Sequence, residues 1–156
     1  MRIFSKEDAR NLHYVVFRMH RRLRNESLQE SPLTFSEETV LMALSAHPYQ
    51  TGAELARFQR ITPQSMNMLV KNLTRRGYIY SRKNSGDRRR KELALTEVGE
   101  RLSSCIELTR LEWIQEKAEA EFSEEEIDVL LQAVPLLRRL VDRPAETVEE
   151  KLLKKY

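Results

Sequence analysis

Residues 51–95 read TGAELARFQRITPQSMNMLVKNLTRRGYIYSRKNSGDRRRKELAL, and this pattern sets the architecture predicted for the chain. Thr51 and Glu54 stand at capping-box spacing, in which each side chain satisfies a free backbone N–H of the other residue. They predict the start of a short helix, followed by a turn at residues 60–61. The inner face of this helix is predicted to carry Leu55, Ala56 and Phe58.

A second helix is predicted to begin after Thr62, which has the side chain of an N-cap residue. Pro63 fits the first helical position, because the N–H that proline lacks has no partner there. Gly77 ends the helix, since glycine readily takes the left-handed conformation that often follows a helix. The inner stripe consists of Met66, Leu69, Val70 and Leu73. The two helices together indicate a helix-turn-helix.

The residues after Gly77 predict a small, basic hairpin. Residues 78–82 form the first strand, residues 84–87 form the turn, and the arginines at 88–90 lead into a second strand. A helix-turn-helix followed by a cationic wing is a shape that reads duplex DNA. The predicted fold class is therefore mainly α with a small β-hairpin wing.

The distribution of charge supports this interpretation. Residues 54–91 contain eleven basic and two acidic residues, a local net charge of +9, whereas residues 112–150 contain four basic and twelve acidic residues, a local −8. A basic middle can neutralise phosphates and an acidic C-terminal region would be repelled by them. Solvated charge on helix surfaces explains single residues, but it explains this segregation poorly.

Composition narrows the class of protein. At 156 residues, with 33% charged and 7% aromatic residues, the chain has the profile of one helix-rich soluble domain. It has no apolar run long enough to span a membrane, and its first residues turn acidic before a signal peptide could develop. Its single cysteine, Cys105, cannot form an intrachain disulfide, so we expect a cytoplasmic location. We expect a buried structural thiol here rather than an oxidation sensor.

Further helices are predicted on both sides of the winged element. One spans residues 7–28, Ser36 is the expected N-cap of the next, and Thr96 caps a long helix to about residue 121. Ser123 opens a last helix, which Pro135 should kink or loosen. We divide this single chain into a winged-helix lobe at 34–96, dimerisation helices at 5–30 and 97–141, and a charged tail at 142–156. The flanking helices carry more apolar surface than one such core needs, which favours a homodimer over a monomer that covers its own core.

Several motifs carry a resemblance that extends over most of the chain. They are Glu54-Leu55-Ala56, Thr62-Pro63-Gln64-Ser65, Leu69-Val70-Lys71-Asn72-Leu73, Arg76-Gly77-Tyr78-Ile79, Gly86-Asp87-Arg88-Arg89, Leu95-Thr96 and Gly99. This set resembles the MarR family of bacterial winged-helix regulators, and its specific part is Gly-Asp-Arg-Arg with the downstream Leu-Thr-x-x-Gly. The resemblance implies a homodimeric regulator, usually a repressor, that is released by a small phenolic or other aromatic ligand or by thiol oxidation. Two residues depart from the pattern, Met68 at a position often polar or basic and Pro135 in a helix that is usually continuous.

Candidate DNA contacts follow from the two motifs. Gln64, Ser65 and Asn67 lie at the amino end of the second helix, where side chains reach base edges, although capping and solvation also explain them. Lys71 and Arg75 are expected to contact phosphates, which position a protein without specifying sequence. The full set of predicted DNA-binding residues is Thr62, Gln64, Ser65, Asn67, Lys71, Arg75, Arg88, Arg89 and Arg90.

Asp87 is unusual at a phosphate-binding tip because its charge opposes binding. We interpret it as a wing-orienting residue that pairs with an arginine and leaves another free to enter the minor groove. The alternative is a solvated turn to which an aspartate is suited.

Other functions find weaker support. His13, Phe17 and Trp113 are candidates for lining a ligand cavity between the dimerisation helices and the winged lobe, although core aromatics are commoner. The three histidines lack acidic or cysteine neighbours at ligand spacing, so neither a metal nor a cofactor is predicted. No nucleophile elbow, P-loop or dinucleotide fingerprint is present, so we do not expect an enzyme. The first hypothesis is a regulator that binds double-stranded DNA at a palindromic operator, and the second is a ligand-binding or protein-interaction module that binds DNA weakly.

Overall fold

The computed structural model describes residues 3–27, 31–84, 86 and 90–142, and all structural statements refer to these residues. They form six helices and a two-stranded antiparallel hairpin, which confirms the predicted fold class. The elements are α1 (Lys6–Ser27), α2 (Phe35–Ala46), α3 (Gly52–Gln59), α4 (Pro63–Arg75), β1 (Ile79–Lys83), β2 (Lys91–Leu95), α5 (Glu97–Glu121) and α6 (Glu124–Asp142). The chain falls into two compact units, Met1–Trp113 and Ile114–Tyr156.

The helix starts follow from local capping, with one correction. The N-cap of α2 is Thr34, whose side chain pairs reciprocally with Glu37, so the expected cap at Ser36 is wrong. A capping box needs a Glu or Gln three residues after the cap, and only Thr34 has one. Thr51 and Thr62 cap α3 and α4 as predicted.

The helix-turn-helix bend is made by backbone conformation. Arg60 follows α3 in the left-handed region at φ 54°, and its N–H bonds back to the carbonyls of Ala56 and Arg57. Gly77 follows α4 at φ 76°, as the sequence predicts, and directs the chain into β1. Positive φ is strained for arginine but not for glycine, so Gly77 ends its helix without strain.

The hairpin pairs Ile79 with Leu95 at its base and Lys83 with Lys91 toward its tip. Thr96 fixes its base, because its hydroxyl donates to the Gly77 carbonyl at 2.6 Å and accepts the Gly99 N–H at 3.1 Å. Gly99 lies so close to the hairpin that a Cβ atom there would clash with the Tyr78 carbonyl oxygen. The Leu-Thr-x-x-Gly motif is thus the close contact between the wing and the start of α5.

One apolar core joins α2, α3, α4, the hairpin and the first part of α5. Phe58 was expected on the inner face of α3, but it is 67% exposed, so that expectation is wrong. Leu55 and Ala56 do lie inward. The core residues are Leu33, Val40, Leu41, Ala43, Leu44, Leu55, Ala56, Met66, Leu73, Ile79, Leu93, Leu95 and Ile106.

The outer helices leave much apolar surface uncovered. Cys105 is exposed in the single chain, so the expectation of a buried thiol is wrong, whereas the neighbouring Ile106 is buried.

Helix α6 continues on both sides of Pro135. None of the helices in the described ranges is long and apolar enough to cross a membrane. The exposed apolar residues of α1 and α6 include Tyr14, Val15, Val16, Phe17, Met19, Val129, Leu130, Leu131, Val134, Leu136, Leu137, Leu140 and Val141.

Candidate nucleic-acid interface

Helix α4 has one buried and one exposed face. Met66 and Leu73 are fully buried against the core. At about 100° of rotation per residue, the residues centred opposite them lie on the outer face. This outer face of α4 consists of Gln64, Met68, Lys71 and Arg75, with Ser65 and Asn67 at its margins, and all of them are exposed.

The amino end of α4 is held in place by its cap. The Thr62 hydroxyl accepts the Ser65 N–H at 3.1 Å and lies 2.9 Å from the Ser65 hydroxyl. At the other end, the Arg75 guanidinium donates to the Asn72 side-chain oxygen at 3.1 Å, which keeps it along the helix. The cap fixes the entry of the helix, and Gln64 and Asn67 project from its first two turns.

The wing is organised around a carboxylate that the sequence analysis missed. Glu92 is 6% exposed and accepts hydrogen bonds from Asn84 and, at 3.1 Å, from the Arg82 Nε. These bonds, led by the one from Asn84, hold the pKa of the Glu92 carboxyl below its usual range. Arg82 also lies over the Tyr49 ring, with its guanidinium carbon 3.4 Å from the ring centroid. Glu92 therefore orients a basic wing residue, the kind of role that the sequence suggested for Asp87.

The wing is tied to α3 on its tip side by Arg90, which precedes β2, and Glu54. The Arg90 guanidinium donates to the Glu54 carboxylate at 2.8 Å, and the other oxygen of that carboxylate accepts from the Thr51 N–H and hydroxyl. The bonds from Thr51, assisted by the charge of Arg90, lower the pKa of Glu54. Arg90, predicted to contact DNA, thus has an anchoring role within the chain as well. The tip residues Asp87, Arg88 and Arg89 lie outside the described residues.

Two adjacent buried carboxylates on α2 link the interface to the long helix. Glu37 lies 3.5 Å from Arg76 at the end of α4, and Arg76 also donates to the Pro32 carbonyl at 3.1 Å. Glu38 lies 2.6 Å from the Arg110 guanidinium of α5. The sequence did not predict either ion pair, because the two arginine partners are 39 and 72 residues away from these acids.

The Glu38 pair is extended by two buried hydroxyls. Arg110 Nε donates to the Ser27 Oγ at 3.0 Å, and the Ser31 hydroxyl donates to Glu38 at 2.9 Å. Ser27, Ser31 and Glu38 are all at most 4% exposed. The end of α1, the α1–α2 connection, α2 and α5 therefore meet at one polar cluster, which we call the Glu38 cluster.

Of the predicted ligand residues, His13 lies away from Trp113 in a single chain. His13 and Phe17 are exposed on α1, while Trp113 is half-buried on α5 with the Arg22 guanidinium 5.6 Å from its ring. Arg22 is nine residues beyond His13, or about 13.5 Å along a helix. No group of three or more possible metal ligands occurs among the described residues.

A groove of about 710 Å³ lies elsewhere, between α2, α3 and the wing residue Arg90. Its walls include Met42, Tyr49 and Phe58, and the Arg90–Glu54 pair lies at its edge. Phe58 forms one wall of this groove instead of entering the core.

Comparison with known proteins identifies the family. Residues 31–90, from the α1–α2 connection to the wing, match the sequence model of the MarR family. A helix-turn-helix transcriptional regulator of Mycobacterium tuberculosis is 29% identical over 134 residues, which are 86% of this chain and 92% of the relative. A relative in Mycobacterium leprae is 28% identical over the same shares of both chains.

Solved structures agree with the sequence matches. A candidate transcriptional regulator from Pseudomonas aeruginosa PA01 has a TM-score of 0.78 at 30% identity and covers 90% of this chain and 99% of its own. A mutant of Staphylococcus aureus MepR bound to an oligodeoxyribonucleotide has a TM-score of 0.64 at 20% identity, and the match covers 86% of this chain and 97% of the MepR chain. At this low identity, the MepR structure supports the fold alone. The wing, the exposed outer face of α4 and these relatives together show that the chain belongs to the MarR family and is a DNA-binding transcriptional regulator.

Proposed function

We propose that the protein is a homodimeric repressor that reads a palindromic operator with α4 of each copy and is released by a small aromatic effector. The observation that carries the proposal is the outer face of α4, which is polar and basic around Met68 and lies opposite a fully buried face. A helix presented in this way enters the major groove with its first turns toward base edges. Action on DNA also supports a cytoplasmic location.

Within α4, we assign base contacts to some residues and phosphate contacts to others. Gln64 and Asn67 carry amides that can bond adenine with two hydrogen bonds, and Ser65 adds a hydroxyl beside them. Lys71 and Arg75 lie one and two turns further on and neutralise phosphates. Of Arg88 and Arg89 on the wing, one pairs with Asp87 and the other enters the minor groove, where a narrow groove favours arginine.

The test of this assignment is a comparison of two alanine variants on DNA selected from random duplexes. Gln64→Ala should weaken binding to the preferred sequence by roughly 1–3 kcal/mol and relax the preference at one position. Lys71→Ala should weaken all sequences about equally and lower the slope of log affinity against log salt by about one. Identical sequence profiles for the two variants would show that the assignment is wrong.

The dimer is supported by apolar surface that one chain leaves uncovered. Leu130, Leu131 and Leu137 of α6 are 44%, 61% and 38% exposed, and α1 also exposes large apolar side chains such as Phe17. Large apolar side chains exposed in such number on a helix of one chain are buried when a second copy packs against them. Two copies also place two α4 recognition helices on one duplex, which a palindromic operator requires.

Charge placed on this surface tests the dimer. Replacing Leu130 and Leu137 with Glu should produce monomers by light scattering and abolish specific DNA binding at the same time. Gln132→Glu adds one negative charge, half the number in the double variant, at an exposed polar position of α6 and should leave a dimer. A wild-type monomer at micromolar concentration would refute this part of the proposal.

The effector rests on the family resemblance and has two candidate positions. One is the set His13, Phe17 and Trp113, which would need the second copy to close a cavity. The other is the groove walled by Tyr49 and Phe58. Trp113 is the single tryptophan of the chain, so quenching of its emission by a phenol or an aromatic carboxylate would favour the first position. Release of DNA without quenching, lost in Phe58→Ala, would favour the groove.

A further inference from the structure

Met68 occupies the centre of the outer face of α4. It is 67% exposed, whereas Met66, two residues earlier, is fully buried. Two residues turn a helix by about 200°, so the two methionines point in nearly opposite directions. A single exposed apolar side chain is ordinary on a protein surface. This one, however, stands in the middle of a face whose other members are polar or basic.

The neighbours of Met68 place it at the level of base edges. Gln64 lies four residues earlier on the same face, about 6 Å along the helix axis, or nearly two base-pair steps of about 3.4 Å. Lys71 lies three residues later, toward the phosphates. A helix that brings Gln64 to one base therefore brings Met68 to a base one or two steps away.

The chemistry of methionine limits what it can recognise there. A thioether donates no hydrogen bond and accepts only weakly, so it cannot read the donors and acceptors of most base edges. The one apolar group that the major groove presents is the C5-methyl group of thymine. An unbranched, flexible side chain can adjust to reach such a methyl group.

We propose that Met68 is a specificity-determining residue that selects thymine by packing against its C5-methyl group. This inference rests on the proposed function, in which α4 enters the major groove. It adds to that function an apolar contact beside the hydrogen bonds of Gln64. It also gives a role to the residue that departs from the polar family pattern.

Deoxyuridine tests the contact, because it lacks only the methyl group of thymidine. A duplex selected from random DNA is altered one thymine at a time, and the affinity of the wild-type protein is measured at one salt concentration. At one thymine of each half-site the loss should be about fourfold, the value of one buried methyl group. Replacing both symmetric thymines should cost about fifteenfold.

Variants of Met68 show whether the loss belongs to this side chain. Met68→Ala should bind the thymine and deoxyuridine duplexes equally, whereas Met68→Leu should retain the discrimination. Because Met68 is exposed, both variants should melt within a degree or two of the wild type. The inference is overturned if no thymine is sensitive, or if the same sensitivity persists in Met68→Ala.

The proposed function fails in a different way. If α4 does not enter the groove, Gln64→Ala and Lys71→Ala bind the selected duplex as tightly as the wild type. If only the methyl contact is absent, these two variants still lose affinity, while the wild-type protein binds every deoxyuridine duplex as tightly as the unsubstituted duplex. The same set of duplexes therefore separates the two failures.

Discussion

Replacing Arg110 with methionine removes the guanidinium that faces Glu38 but keeps most of the side-chain length. Glu38 is 2% exposed and the Arg110 side chain is 18% exposed, so the charge left behind stays out of water. Breaking a buried pair by removing one partner costs roughly 3–5 kcal/mol, because the remaining ion is uncompensated. Since Arg110 is partly exposed, we expect the lower end, about 3 kcal/mol of unfolding free energy.

Urea unfolding at one fixed protein concentration, followed by circular dichroism, measures this loss. A matched control is Arg101→Met, because Arg101 pairs with Glu97 on the same helix with side chains 66% and 80% exposed. Exposed pairs of this spacing contribute about 0.3–0.5 kcal/mol, so the control should unfold nearly as the wild type does. Glu38→Gln in the Arg110→Met background removes the stranded charge and should recover part of the loss.

The reasoning would be refuted if Arg110→Met cost no more than Arg101→Met. Such a result would mean that water reaches Glu38 and that the Glu38 cluster contributes little to stability. A loss that the second substitution did not reduce would point instead to packing around the Arg110 stem.

Three further predictions concern the wing. Gly99→Ala should destabilise the protein by roughly 3 kcal/mol in thermal melts, because its Cβ would meet the Tyr78 carbonyl, whereas Gly52→Ala, with open space around it, should not. The stability difference between wild type and Glu92→Gln should hold from pH 7 to about pH 5 and shrink below pH 4.5, the usual pKa of glutamate, because a lowered pKa gives stability that is lost only as the folded carboxylate protonates. If Asp87 orients an arginine, Asp87→Asn should weaken DNA binding in a fixed-salt titration, and tighter binding would contradict that role.

Features set by neighbouring residues were predictable from the sequence. The caps at Thr51 and Thr62 and the helix end at Gly77 depend on side chains three or four residues apart, and the structure confirms all three. The hairpin followed from the same local signals. The N-cap of α2 was assigned wrongly because Ser36 and Thr34 are both residue types that cap helices. Only Thr34 has a glutamate three residues later.

Features that depend on distant partners were not predictable. Glu37 and Glu38 resemble ordinary first-turn acids, and only the folded chain brings Arg76 and Arg110 to them. Cys105 and Ile106 are adjacent in sequence but about 100° apart around a helix. The apolar neighbour Ile106 therefore did not show that Cys105 is also buried. Phe58 has helical spacing from Leu55, yet the groove beside α2 leaves it exposed.

The adjacency of Glu37 and Glu38 has a mechanical consequence. One residue holds the end of the reading helix and the next holds the long helix, and their Cα atoms are about 3.8 Å apart across a single planar peptide. Arg110 of α5 and Arg76 at the end of α4 are therefore connected through one stiff turn of α2, with no loop between their two partners. In the proposed dimer, this connection would link the position of each α5 to that of the α4 helix in the same chain.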